Sequence, residues 1–303
     1  MSGARGPGDA ALAPNEVPYC KNCGAPLSGA FCTDCGQQGD VHVPSTQELL
    51  HEALEGITHS DSRLWLTLKY LVFAPGKLTT EYIAGRRVAY LPPFRLYLVT
   101  SVLFFVVASF GTAHHVRLYQ PEMQSGSPGV KLNQKSPEEV CHDLQTDLGP
   151  AVQAHLKRAC EGIVKDHGAS FLHDVFNLLP KAMFVFLPLI AFFNMLLYWR
   201  PRSHYAVHLL FFLHVHAFAF LVFTLEGLAS DAGDAWPALA AGTRVLSAAL
   251  LLGIPWYVLL ALRRVFRRGL GATFFKALAL LLVYVTMLLL TMSAVLLYAA
   301  WQL

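Results

Sequence analysis

The sequence predicts an all-α polytopic membrane protein of about five transmembrane helices, headed by a small N-terminal module built on four cysteines. Three observations carry this reading. Several apolar runs reach the roughly 20 residues that a helix needs to cross a bilayer. Of the 303 residues only 14% are charged and 54% are hydrophobic, well outside the soluble norm of about 25% charged. Two CxxC pairs stand close together ahead of the first apolar run. The net charge of +3 makes no case for nucleic acid, so the expected partner is the lipid bilayer.

Residues 1–18 are mostly Gly, Pro and Ala with little to bury, and read as disordered. They lack the basic-then-apolar order of an export leader, so the N-terminus is expected to stay in the cytoplasm. Residues 19–40 contain CKNCGAPLSGAFCTDCG. Cys20 and Cys23 form the first pair, Cys32 and Cys35 the second, and each pair is followed by glycine, Gly24 and Gly36. Such a turn aims backbone amides at the thiolates, and glycine allows its tight conformation. Four soft sulfur ligands suit one tetrahedral zinc ion, giving a zinc ribbon. With every position used for ligation the site is structural, and metal binding supplies most of the folding energy of so small a module. A redox-active or disulfide pair is the alternative. The ribbon also offers a surface for a protein partner.

Residues 45–93 read as amphipathic, interfacial helices. Ser45 and Glu48 form a capping box ahead of the stripe Leu49, Leu50, Ala53, Leu54 and Ile57. SRLWLTLKYLVF is apolar but too short to span, and Trp65, Lys69 and Tyr70 suit the headgroup layer. Pro75-Gly76 breaks it, and LTTEYIAGRR is a further short helix stopped by Gly85.

These blocks carry a resemblance. DSRLWLTL, APGKLTTEYIAGRR and YLPPFRLY, behind the double CxxCG, resemble the bacterial membrane proteins grouped as domain of unknown function 3667, and HLLFFLHVHAF is similar to that family's histidine-bearing helix. The likeness implies a zinc-ribbon-like head on a multi-span inner-membrane protein. It implies no reaction and transfers no catalytic residue.

The expected spans are 94–113, 175–199, 204–228, 238–262 and 274–297. Lys77, Arg86, Arg87 and Arg95 crowd the start of the first span, and Arg200, Arg202 and the run Arg263 to Arg268 mark further inside loops. This orients the N-terminus to the cytoplasm and the C-terminus outside, in the bacterial inner membrane that the resemblance implies. Residues 114–174 then form an extracytoplasmic helical hairpin, with Ser136 and Pro137 opening one helix. An oxidising compartment would join Cys141 and Cys160 across it.

The third span carries four histidines. At about 100° per residue, His214 and His216 point to nearly opposite sides, so one helix cannot chelate an ion with both. His204 and His208 are one turn apart and could share a ligand. Asn194 could meet either of them. Ionisable groups in hydrocarbon need partners, so Glu226 is expected to pair with Arg244 at similar depth across a short loop. No phosphate loop, nucleophile elbow or zinc-protease motif is present. Three classes of function remain: a non-enzymatic recruiting, sensing or scaffolding protein; a small permease with a polar path beside the third span; and a membrane enzyme using His204, His208, His214 and His216 for a metal or cofactor. Where the histidines lie in the folded bundle separates them.

Overall fold

A computed structural model describes residues 18–39, 63–118, 141, 149–165, 168–199 and 204–302. The expected disorder of the first residues, the Ser45–Glu48 cap with its helix, the start of a helix at Ser136 and the Arg200/Arg202 connection lie outside them. The helices are α1 Arg63–Phe73, α2 Lys77–Ile83, α3 Pro93–Leu118, α4 Pro150–Lys165, α5 Ala169–Leu197, α6 Tyr205–Ala235, α7 Ala240–Phe266 and α8 Leu270–Gln302. Among the described residues the only β features are isolated antiparallel bridges, Tyr19 with Pro26 and Phe31 with Gln38.

Among the described residues four helices, α5 to α8, are long and apolar enough to cross a membrane. The described apolar part of α3, Pro93–Ser109, is shorter, although the helix runs on to Leu118. The histidine helix α6 is the central pillar. In its most apolar stretch 78% of residues are buried, against 11% in α8, because α3, α5 and α7 all pack on it. Phe104 of α3 stacks on Phe220 at 5.3 Å, and Tyr257 of α7 lies flat on Phe218 at 3.7 Å. Aromatic pairs of this kind add about 0.5–1.5 kcal/mol beyond their buried area. On its other side α8 packs on α5, where Val175 meets Val295 and Ala299. Pro180 and Pro188 both lie inside α5, and the Pro188 carbonyl accepts a hydrogen bond from the Tyr205 hydroxyl.

One end of the bundle gathers the start of α6, the ends of α5 and α7 and the start of α8. There Phe266 stacks on Tyr198 and His208, and Lys276 donates to the Leu197 carbonyl while lying 4.3 Å over the Tyr198 ring. The opposite end holds α4, whose His155 stacks on Trp301 near the end of α8.

The short helix α2 packs against α6 and α7. Leu78, Thr79 and Tyr82 form one buried face. Tyr82 packs on Ala206 and Leu210, and Thr79 reaches His214. His214 is nine residues past Tyr205, so α2 covers the pillar from its start to about 14 Å along it. Gly76, which opens α2 at φ +73°, lies against α7: an added Cβ would sit 3.0 Å from the Ala261 carbonyl oxygen. Only glycine satisfies both the left-handed backbone and this close approach. On α1, Thr67 and Leu71 are buried, and the Thr67 hydroxyl accepts from the Leu91 N–H.

Candidate metal centre and buried histidines

The two CxxCG turns are copies of each other, twelve residues apart in sequence. The Cys20 N–H donates to the Ala25 carbonyl and the Gly24 N–H to that of Cys20; Cys32 to Gln37 and Gly36 to Cys32 repeat both bonds at 2.8 and 2.9 Å. Gly24 and Gly36 hold φ +80° and +72°, a conformation that costs a side-chain-bearing residue about 1–2 kcal/mol. The turns face each other, with Cys20 Sγ 3.6 Å from Cys35 Sγ and Cys23 Sγ 3.5 Å from Cys32 Sγ. All four sulfurs lie within 4.8 Å of one another. The Cys23 backbone N–H points at the Cys20 sulfur and, with the Asn22 N–H, holds that thiol down at about 6. The Ala25 N–H pulls Cys23 the same way, yet burial and the other three sulfurs push it up to about 12. Four sulfurs this close cannot all ionise without a cation among them. The donor set, its spacing and the amides aimed at sulfur fit a zinc ribbon.

The head docks through a residue that spacing arguments passed over. Gln37, only 3% exposed, follows the second knuckle. Its Nε2 donates to the Gly85 carbonyl at 2.8 Å, and its Oε1 accepts from the N–H groups of Arg87 and Val88. The receptor is the cap of α2. The Gly85 N–H bonds the Tyr82 carbonyl and the Arg86 N–H that of Glu81, a Schellman closure with Gly85 at φ +87°. That closure turns the Gly85 carbonyl and the N–H groups of Arg87 and Val88 outward, where one amide side chain satisfies all three. Arg86 also donates to the Glu81 carboxylate, which holds that carboxyl below its usual range. A glutamine beside a knuckle glycine carries no sequence signal for this role.

The buried histidines face three different helices. His208 Nδ1 is 2.9 Å from Asn194 Nδ2 on α5. His214 Nδ1 is 3.0 Å from Thr79 Oγ1 on α2. His216 meets the Phe212 carbonyl through Nδ1 and the Tyr284 hydroxyl of α8 through Nε2. His204 is the exposed N-cap of α6 with extended backbone (φ −65°, ψ 145°), whereas His208 is buried within the helix. Among the described residues, the Cys20, Cys23, Cys32 and Cys35 sulfurs form the group able to hold a metal, and no histidine belongs to it.

The expected Glu226–Arg244 ion pair is not present among the described residues. The pillar runs to Ala235, beyond the expected 228. Glu226 thus lies nine residues before its end, whereas Arg244 is four residues into α7. The axial mismatch is about 7 Å, and Arg244 is exposed. Cys141 and Cys160 form a disulfide with Cα atoms 5.5 Å apart. Cys160 lies on α4, so the bridge and the four-cysteine head occupy opposite ends of the bundle.

Fold and site define a class: a polytopic helical membrane protein carrying a docked four-cysteine head. Residues 61–105 match the model of the family described as "Protein of unknown function (DUF3667)", the family that the sequence resembles. The matched stretch is α1, α2 and the buried start of α3, the part of the chain that receives the head. Neither the curated proteins nor the solved structures compared include a match to this chain.

Proposed function

We propose that this is a non-enzymatic membrane protein in which a structural zinc ribbon on the cytoplasmic face recruits or senses a partner and the helical bundle anchors it. The observation that carries this reading is the scatter of the histidines. Each buried imidazole has a local partner on a different helix, as expected where polar side chains hydrogen-bond across neighbouring helices of a bundle. A metal or cofactor enzyme would need them to converge. A permease would need a polar path along them, and two concavities of the bundle, one lined by Pro75 and three arginines and one by Leu178 and its neighbours on α5 and α8, touch no histidine. The ribbon meanwhile leaves Tyr19 and Phe31, equivalent positions of its two knuckles, 69% and 62% exposed, a surface suited to a protein partner.

Orientation follows from charge. Arg86, Arg87, Arg95 and the arginines ending α7 lie at the head end, which the positive-inside rule assigns to the cytoplasm. The disulfide end then faces an oxidising compartment, as in a bacterial inner membrane. Zinc is the ion that four thiolates in a closed tetrahedral set select.

Metal analysis of the full-length protein in detergent tests the reading. One zinc per chain is expected in the wild type and none in a Cys20→Ser/Cys23→Ser variant. A metal equivalent or cofactor retained by that variant, and lost on replacing His208, His214 and His216, would replace the scaffold by an enzyme.

A further inference from the structure

We propose that the arginines ending α7 form, with the Pro75 turn, a binding site for a phosphate-bearing anion, the headgroup of an anionic phospholipid. A concavity of about 430 Å³ lies at the head end, lined by Pro75, Leu260, Arg263, Arg264 and Arg267. Three of its five lining residues are guanidinium-bearing, and none is acidic. Arg264 is oriented by the turn itself: its Nη1 donates to the Pro75 carbonyl at 2.7 Å, which leaves the other edge of the fork for a ligand. Arg263 and Arg267 both border the same concavity. Among the described residues no carboxylate pairs with any of the three.

Topogenic charge and the helix dipole account for cations at this end of α7. Neither requires three arginines to border one concavity. Arg267 adds a separate observation. It caps α7 in the left-handed conformation at φ +48°, and is the non-glycine residue so placed among those described. Glycine is the usual occupant of that position, and Gly269 lies two residues on. A strained arginine there delivers a guanidinium to the rim. Guanidinium forks suit phosphate oxygens bidentately, and Leu260 supplies an apolar wall on the membrane side for the start of an acyl chain. Basic pockets at the cytoplasmic ends of transmembrane helices take anionic headgroups by this chemistry.

The test uses the full-length protein in detergent, titrated with phosphatidylglycerol, phosphatidylcholine or inorganic phosphate, with binding read by native mass spectrometry and thermal shift. Variants are Arg263→Gln/Arg267→Gln, which keeps the Arg264–Pro75 bond, and Leu260→Trp, which fills the concavity and keeps every charge. Lys69→Gln is the surface-charge control. Zinc content confirms that each variant is folded at the head. Phosphatidylglycerol is expected to bind in preference to phosphatidylcholine, about thirtyfold more weakly in the double arginine variant, more weakly in Leu260→Trp, and unchanged in Lys69→Gln. Equal protection by inorganic phosphate, lost in the same variants, would support the site with a soluble anion as its ligand. Phosphatidylglycerol binding that is unchanged in the double variant, or reduced equally by Lys69→Gln, would overturn the proposal.

Discussion

Gln37 of the head and Gly85 of the α2 cap are joined by a buried 2.8 Å hydrogen bond. The same side chain accepts from Arg87 and Val88, so one amide couples the four-cysteine module to the segment that packs on the histidine pillar. Losing a buried bond of this kind costs about 1–3 kcal/mol when the partner is left unsatisfied. Gln37→Ala is therefore expected to release the head without unfolding it. Zinc should stay at one per chain while amide exchange at residues 85–88 accelerates. Unchanged exchange there would mean that the dock is held by something else. Gln37→Glu should behave like the alanine variant, because a carboxylate cannot donate to the Gly85 carbonyl.

Chelating the metal should unfold the head alone. Structural zinc contributes on the order of 10 kcal/mol to such small modules, whereas the bundle rests on its own apolar core. Far-ultraviolet circular dichroism should keep its helical signal, and residues 18–39 should become protease-sensitive. Affinity should fall as pH falls, since protons compete with the metal for the sulfurs. A bundle that melted on chelation would contradict this division.

Glu81 gives a separate pH dependence. Its hydrogen bond from Arg86 lowers its folded-state pKa. The contribution to stability is thus complete above the ordinary carboxylate pKa and is lost as pH falls through the lowered value. Arg86 is 43% exposed, so solvent screening keeps the effect small. In acid titrations of melting temperature, Glu81→Gln should lower the neutral plateau slightly and converge with wild type at the acid end, so that its acid limb is flatter.

Double-mutant cycles should map the polar contacts of the pillar. Asn194→Leu and His208→Phe share one contact and should couple. His208→Phe and His214→Leu lie about 9 Å apart along the helix and face different neighbours, so their losses should add within about 0.5 kcal/mol. Glu226→Ala and Arg244→Ala should add as well. A coupling above 1 kcal/mol in that last pair would restore the ion pair that the sequence suggests.

The disulfide should be invisible to thiol reagents until reduced. Its closed loop, with a separation of 19 residues, stabilises by about 3 kcal/mol on the chain-entropy account. Cys141→Ala/Cys160→Ala should lower the melting temperature and leave zinc content at one per chain. In sealed cells a membrane-impermeant reagent should label Cys141 and Cys160 only after reduction, from the outside, and never reach Cys20.

The sequence by itself determined the elements that depend on local physics. Long apolar runs specify spans, glycine behind each CxxC specifies the knuckles, and Gly85 specifies where α2 stops. The opposed directions of His214 and His216 also follow from helical geometry alone, and the structure gives them Thr79 and Tyr284 as separate neighbours. The tertiary structure decided which helix became the pillar, how deeply α2 stands against it, and that Gln37 docks the head. It also separated Glu226 from Arg244, because the pillar runs on to Ala235 and shifts their depths. Those outcomes depend on contacts between residues far apart in the chain. Hydropathy and spacing carry no term for them, and a glutamine bound for a buried amide bond looks in sequence like one bound for water.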